Sequence, residues 1–145
     1  MDVRRELAAV RVAKGPKVDG KLDDDVWKLA EDGGPLVQSL PFTGSEPSQR
    51  TEFRVIYDDE ALYIGVTCFD KEPEKIVAFE MAHDGKYYGD DNVILAIDTF
   101  HDRRNGYEFR VNPNGARSEA LITDNIYLND SWDGIWITAS TILAR

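Results

Sequence analysis

Apolar residues recur at every second position in short runs, and turn-forming residues interrupt those runs about every 10 residues. That rhythm constrains the fold more than any other property of the chain. In "TEFRVIYDD" it sets Phe53, Val55 and Tyr57 on one face and stops at Asp58 and Asp59. "ALYIGVTCF" alternates Leu62, Ile64, Val66 and Cys68 against Tyr63, Gly65, Thr67 and Phe69. Both of its faces are mostly apolar, as in a central strand covered on two sides. "NVILAID" is a short run of branched side chains. "GYEFRV" turns Tyr107, Phe109 and Val111 inward and Glu108 and Arg110 outward. "NPNG" is a turn signal, because Asn–Gly accepts positive φ at little cost, and "ARSEALIT" is its return strand. "GIWITASTIL" reads as a last strand.

Helix is scarce. The best candidate is "DDDVWKLAE", with Asp23 as N-cap and Asp24 and Asp25 in the first turn, where the helix dipole favours negative charge. Trp27 and Ala30 are its anchoring side chains. "EPEKIVA" offers one further turn. The pattern predicts an all-β, antiparallel sandwich of jelly-roll type with one short N-terminal helix, since parallel α/β folds need more helices. The 145 residues suit one domain, 1–145. An apolar strand followed directly by the last residues, "STILAR", implies a sandwich that is incomplete at its C-terminus.

The chemistry that the composition permits is narrow. A net charge of −10 is ill suited to nucleic acid, which is gripped through phosphate contacts from Lys and Arg. Cys68 is the only cysteine, so an internal disulfide and a cysteine-based zinc site are excluded. "MDVRRELAAVRVAKG" lacks the apolar core of a signal peptide, so an exported protein would carry that signal elsewhere. The nucleophile elbow, P-loop, dinucleotide fingerprint and zincin motif are all missing, and the expectation is a non-enzyme.

Three groups of residues could bind something. "YGDDNV" and "IDTFHD" place Asp90, Asp91, Asp98 and Asp102 around one strand. Calcium takes hard oxygen ligands from such loops, so Asp91, Asp98 and Asp102 are candidate ligands for a structural calcium ion. The alternative is solvated acids at strand ends. Aromatic residues form the second group: Tyr87 and Tyr88 before "DD", and Trp132 and Trp136 around "DGI". Their rings suit either core packing or the apolar C–H faces of sugars. Arg110 and Asn112 form the third, on one face of their strand by alternation. They suit hydroxyl recognition, or an exposed strand face followed by a turn-start Asn. His83 and His101 sit in polar loops, where solvation is the default.

The ordered string "VDGKLDDDVWKLA", "YDDEALYIGVTCFD", "DDNVILAIDTFHD", "GYEFRVNPNGA" and "WDGIW" resembles the family 9 carbohydrate-binding modules. It is most similar to the family-9-like domain at the N-terminus of large bacterial envelope proteins, where that domain precedes an outer-membrane β-barrel region. The resemblance spans roughly Val10 to Ala139. It implies a β-sandwich, carbohydrate as ligand, calcium as a structural ion in some members, and an extracytoplasmic location (periplasm, outer membrane or secreted). It also implies sugar contacts from Tyr88, Arg110 and Asn112. Sugar-binding members carry a carboxylate where this chain has Ile94. Their second clamping aromatic comes from the C-terminal part, beyond this chain. Two other roles follow from related domains. One is a structural or docking module for an attached barrel, without sugar binding. The other is a haem-binding sandwich, with Met81 and His83 as candidate axial ligands.

Overall fold

The computed structural model describes residues 5–85 and 89–143. The chain is all-β, as the alternation predicts. Seven strands lie among the described residues: β1 (Val10–Arg11), β2 (Thr51–Tyr57), β3 (Leu62–Cys68), β4 (Val93–Ile97), β5 (Gly106–Val111), β6 (Arg117–Thr123) and β7 (Tyr127–Asn129). They form two sheets, β1-β2-β3 and β4-β5-β6-β7. Each sheet belongs to its own compact unit. The first unit comprises the residues up to Lys17 and Leu22–Glu72; the second comprises Val18–Lys21 and the residues from Pro73 on.

In the first unit, β2 and β3 pair antiparallel along their whole length, from Thr51 opposite Cys68 to Tyr57 opposite Leu62. Asp58 closes the hairpin. Its Oδ1 accepts the N–H groups of Glu60 at 2.8 Å and Ala61 at 2.9 Å. Its Oδ2 accepts the Gly15 N–H at 2.8 Å and the Tyr63 hydroxyl at 3.1 Å. β1 runs parallel to β2, with Val10 opposite Ile56, and is the exception to the expected antiparallel pairing. A parallel neighbour needs a long connection, which residues 12–50 supply.

The core of this unit is Val12, Trp27, Ala30 and Ile56, with Val10, Val26 and Tyr63 against it. Ile56 is fully buried. It lies on the opposite face of β2 from Phe53, Val55 and Tyr57, because the segment carrying Trp27 covers that face. Gly65 is buried there too. A Cβ on Gly65 would come within 2.9 Å of the Trp27 ring and of Leu22 Cδ2, so the indole rests directly on the backbone of β3.

The expected N-terminal helix is a single 3-10 turn, Asp25–Leu29. Its hydrogen bonds run three residues back, from Trp27 N–H to Asp24 at 3.2 Å and from Ala30 N–H to Trp27 at 3.3 Å. A period of three stacks residues 27 and 30 on one side. Both are buried, whereas Leu29, which an α-helical stripe would cover, is 62% exposed. The N-cap position belongs to Asp24 rather than Asp23. The Asp24 carboxylate accepts the Lys17 N–H at 3.2 Å instead of capping the turn. Gly33, Gly34 and Pro35 prevent extension into an α-helix. "EPEKIVA" likewise contributes one 3-10 turn, Pro73–Lys75. No helix among the described residues is long and apolar enough to cross a membrane.

In the second unit every pair is antiparallel. Register places Leu95 opposite Phe109, and Phe109 opposite Glu119. Gly115, at φ +79°, completes the "NPNG" turn, where Asn112 N–H donates to Ala116 at 3.0 Å. The expected strand in "GIWITASTIL" does not form. The edge of the sheet next to β6 is taken by β7. Residues 131–140 still alternate: Trp132, Gly134, Trp136, Thr138 and Ser140 are half-buried, while the residues between them are exposed. Trp132 packs on Tyr107 at 4.8 Å between ring centroids, and Trp136 packs edge-on against Phe109 at 5.1 Å. Ring packing on a sheet face and hydrogen bonds that involve side chains therefore hold this segment, not a ladder.

The contact between Trp27 and Gly65 gives a direct test. Trp27→Ala should lower the unfolding free energy by about 3–5 kcal/mol through loss of a buried aromatic. Gly65→Ala should cost about 1–3 kcal/mol by overpacking. Guanidinium unfolding measures both, and an unchanged midpoint for Gly65→Ala would show that the close contact is not formed.

Candidate functional site

Register sorts the side chains of β4, β5 and β6 onto two faces. Val93, Leu95, Ile97, Tyr107, Phe109, Val111, Arg117, Glu119 and Leu121 share one face. Ile94, Ala96, Glu108, Arg110, Ser118 and Ala120 share the other. Arg110 lies directly opposite Ile94 on β4 and Ser118 on β6. Its Nη2 donates to Glu108 Oε1 at 3.2 Å, with the two side chains 30% and 19% exposed. Ile94 is 49% exposed on this face. Glu108 provides the carboxylate on this face. Tyr87 and Tyr88 lie outside the described residues.

Asn112 is 2% exposed, and its side chain is fully engaged within the protein. Nδ2 donates to the Glu80 carbonyl at 2.8 Å and to Asp90 Oδ2 at 3.0 Å. Oδ1 accepts the N–H groups of Ala116 at 2.9 Å and Asn114 at 3.1 Å. An amide has two donors and an acceptor with two lone pairs, so this one is saturated. Asp90 completes the knot by accepting Phe79 N–H at 3.1 Å and Glu80 N–H at 3.0 Å. The Glu80 N–H is the main cause of an Asp90 carboxyl held below its ordinary range, and it outweighs burial. Asn112 therefore positions the strand that carries Arg110 and ties it to Glu80 and Asp90.

The candidate calcium ligands do not converge. Asp91 and Asp98 flank opposite ends of β4. Asp91 Oδ2 accepts the Val77 N–H at 2.8 Å. Asp98 accepts Arg103 N–H at 2.7 Å and Asp102 N–H at 3.2 Å. Asp102 accepts the N–H groups of Asn105 and Arg104, both at 2.9 Å, and the Asn105 side-chain amide at 2.8 Å. These donors, the Asn105 N–H foremost, lower the Asp102 carboxyl to about 2. Each acid has the geometry of a loop staple.

Among the described residues, one group of potential metal ligands does converge: His83, Glu119 and Asp133. Glu119 sits on the inward face of β6, its side chain 1% exposed. His83 Nε2 lies 3.0 Å from both of its oxygens. Trp136 Nε1 donates to it at 3.1 Å, and Gly134 N–H at 3.4 Å. Burial pushes the Glu119 carboxyl up, but its hydrogen bonds with His83 and Trp136 prevail and hold it below the ordinary range. His83 is thus engaged rather than merely solvated. Met81, the other candidate haem ligand, is 79% exposed. A charged residue at an inward position of "ARSEALIT" was the available signal for Glu119. His83 had no such signal.

Two outcomes follow from these staples. Asn112→Ala should lower stability by about 2–3 kcal/mol, since it strands buried donors and an acceptor together. Differential denaturation would show it. The Asp102 contribution is complete above the unfolded value of about 3.8 and is lost as pH falls from there to about 2. Asp102→Asn should flatten that part of a stability-against-pH curve. No family model matches the chain, and neither a curated protein nor a solved structure matches it.

Proposed function

We propose that the chain is a non-catalytic carbohydrate-binding module of an extracytoplasmic bacterial protein, with Arg110 at the centre of its ligand face. The observation that supports this most is the Arg110–Glu108 pair beside exposed Ile94. A guanidinium offers a fixed fork of donors, and a carboxylate offers acceptors. Side by side they match adjacent sugar hydroxyls, which donate and accept at once. Ile94 provides an apolar surface for ring C–H groups. Asn112, saturated within the protein, serves as a positioning residue for Arg110. The resemblance to family 9 modules adds Tyr88 as the stacking aromatic. One charged pair and one apolar contact give modest affinity after ordering costs.

A second reading rests on the apolar character of Ile94 and on Phe79 and Met81, which are 84% and 79% exposed. They suit a protein-docking face better than a sugar face, as in a structural module attached to a membrane barrel.

A panel of mono- and oligosaccharides, titrated by tryptophan fluorescence and calorimetry, separates the two. The sugar reading expects saturable binding that Arg110→Ala weakens about tenfold or more, the loss of a charge-assisted hydrogen bond. A folded protein that answers to no sugar in the panel sinks that reading and favours docking.

A further inference from the structure

We propose that His83, Glu119 and Asp133 form a binding site for a divalent transition-metal ion of the zinc type. One ligand atom from each lies within 4.8 Å of the others. Two ligands of one tetrahedral zinc ion, each at roughly 2.0–2.2 Å, stand about 3.3–3.6 Å apart. His83 Nε2 lies 3.0 Å from the Glu119 oxygens, so the two need to part only slightly to admit the ion. Only the exposed Asp133 side chain has to close in.

The local charge points the same way. His83 Nε2 is also 3.5 Å from Asp84 Oδ2. One imidazole therefore faces three carboxylates: Asp84, Glu119 and Asp133. Even when protonated it neutralises only one of them. Arg117, two residues along β6, is directed elsewhere: it donates to the Trp136 carbonyl and lies over the Trp136 ring. A divalent cation supplies the missing positive charge.

The ligand chemistry selects the ion. An imidazole nitrogen beside carboxylate oxygens suits zinc and its neighbours, whereas calcium and magnesium prefer all-oxygen shells. On binding, the Nε2 proton leaves to solvent and the metal takes its place between His83 and Glu119. The Trp136 and Gly134 N–H groups remain on Glu119 and hold it in orientation, as outer-shell donors do at metal sites. The ion would join three separate segments: the loop at His83, strand β6, and the extended segment at Asp133. The site is independent of the sugar-binding reading, because Glu119 and Arg110 occupy opposite faces of the sheet.

The test uses the whole chain carrying Cys68→Ser, which removes its only thiol, after treatment with a chelator. Zinc chloride alone is titrated by calorimetry, and thermal unfolding is followed with and without it. The expected result is one zinc ion per chain and a raised unfolding midpoint. His83→Ala and Asp133→Asn should each weaken binding by about tenfold or more, whereas Asp130→Asn, outside the cluster, should not. Absence of zinc binding overturns the proposal. Zinc affinity unchanged in His83→Ala does the same, and so does equal stabilisation by calcium chloride that survives His83→Ala.

Discussion

Carboxylates that accept backbone N–H groups hold this protein's loops in place, and the strands depend on them for their ends. A buried N–H needs a partner, and an ionised acceptor makes that partnership shorter and stronger. Asp32 accepts Gly34 N–H at 2.9 Å and Phe53 N–H at 3.1 Å, and so fastens the segment after the first 3-10 turn to β2. Asp58 closes the β2–β3 hairpin and holds the chain leaving β1. Asp90 gathers the residues before β4 to the end of β5, and Asp98 with Asp102 shapes the loop after β4. Hydrogen bonds hold the carboxyls of Asp32, Asp58, Asp90 and Asp102 below their ordinary range, the N–H groups of Gly34, Glu60, Glu80 and Asn105 contributing most. An acidic composition thus serves the architecture before it serves any ligand.

This matters because apolar burial is sparse. The fully covered hydrophobic side chains among the described residues are few: Val12, Trp27, Ala30 and Ile56 in the first unit, Ala116 and Ala120 in the second. Half-buried aromatics, Tyr107, Phe109, Trp132 and Trp136, supplement the second unit. Precision at the proposed ligand face therefore comes from polar constraint. The saturated Asn112 amide fixes where β5 ends, and β5 in turn fixes Arg110 beside Glu108.

The strands were legible because period-two alternation reports which side chains are covered. Tyr107, Phe109 and Val111 share a face as their spacing implies, and "NPNG" makes its turn. The same property explains the misreading of "GIWITASTIL". Its side chains alternate between cover and exposure, yet its backbone joins no ladder, and alternation carries no information about backbone pairing. The segment "DDDVWKLAE" was ambiguous for a different reason. Over so few residues a period of 3.6 and a period of 3 mark nearly the same positions, and the hydrogen bonds three residues back and the exposure of Leu29 tell them apart. For the site, parity put Arg110 and Glu108 on the face opposite Tyr107 and Phe109, where register has them. The turn-start role of Asn112 was legible in "NPNG", but its bonds to Glu80 and Asp90 were not, because those partners are distant in sequence. The meeting of His83 with Glu119 and Asp133 is likewise a product of tertiary structure.

Gly65 and Trp27 are matched in size. The indole occupies the space that any side chain at position 65 would need, so neither position can drift freely while the other stays as it is. Among descendants of such a sequence, a methyl group at 65 would survive best alongside a slimmer ring at 27. The two sites would then change as a linked pair, although 37 positions separate them in the chain.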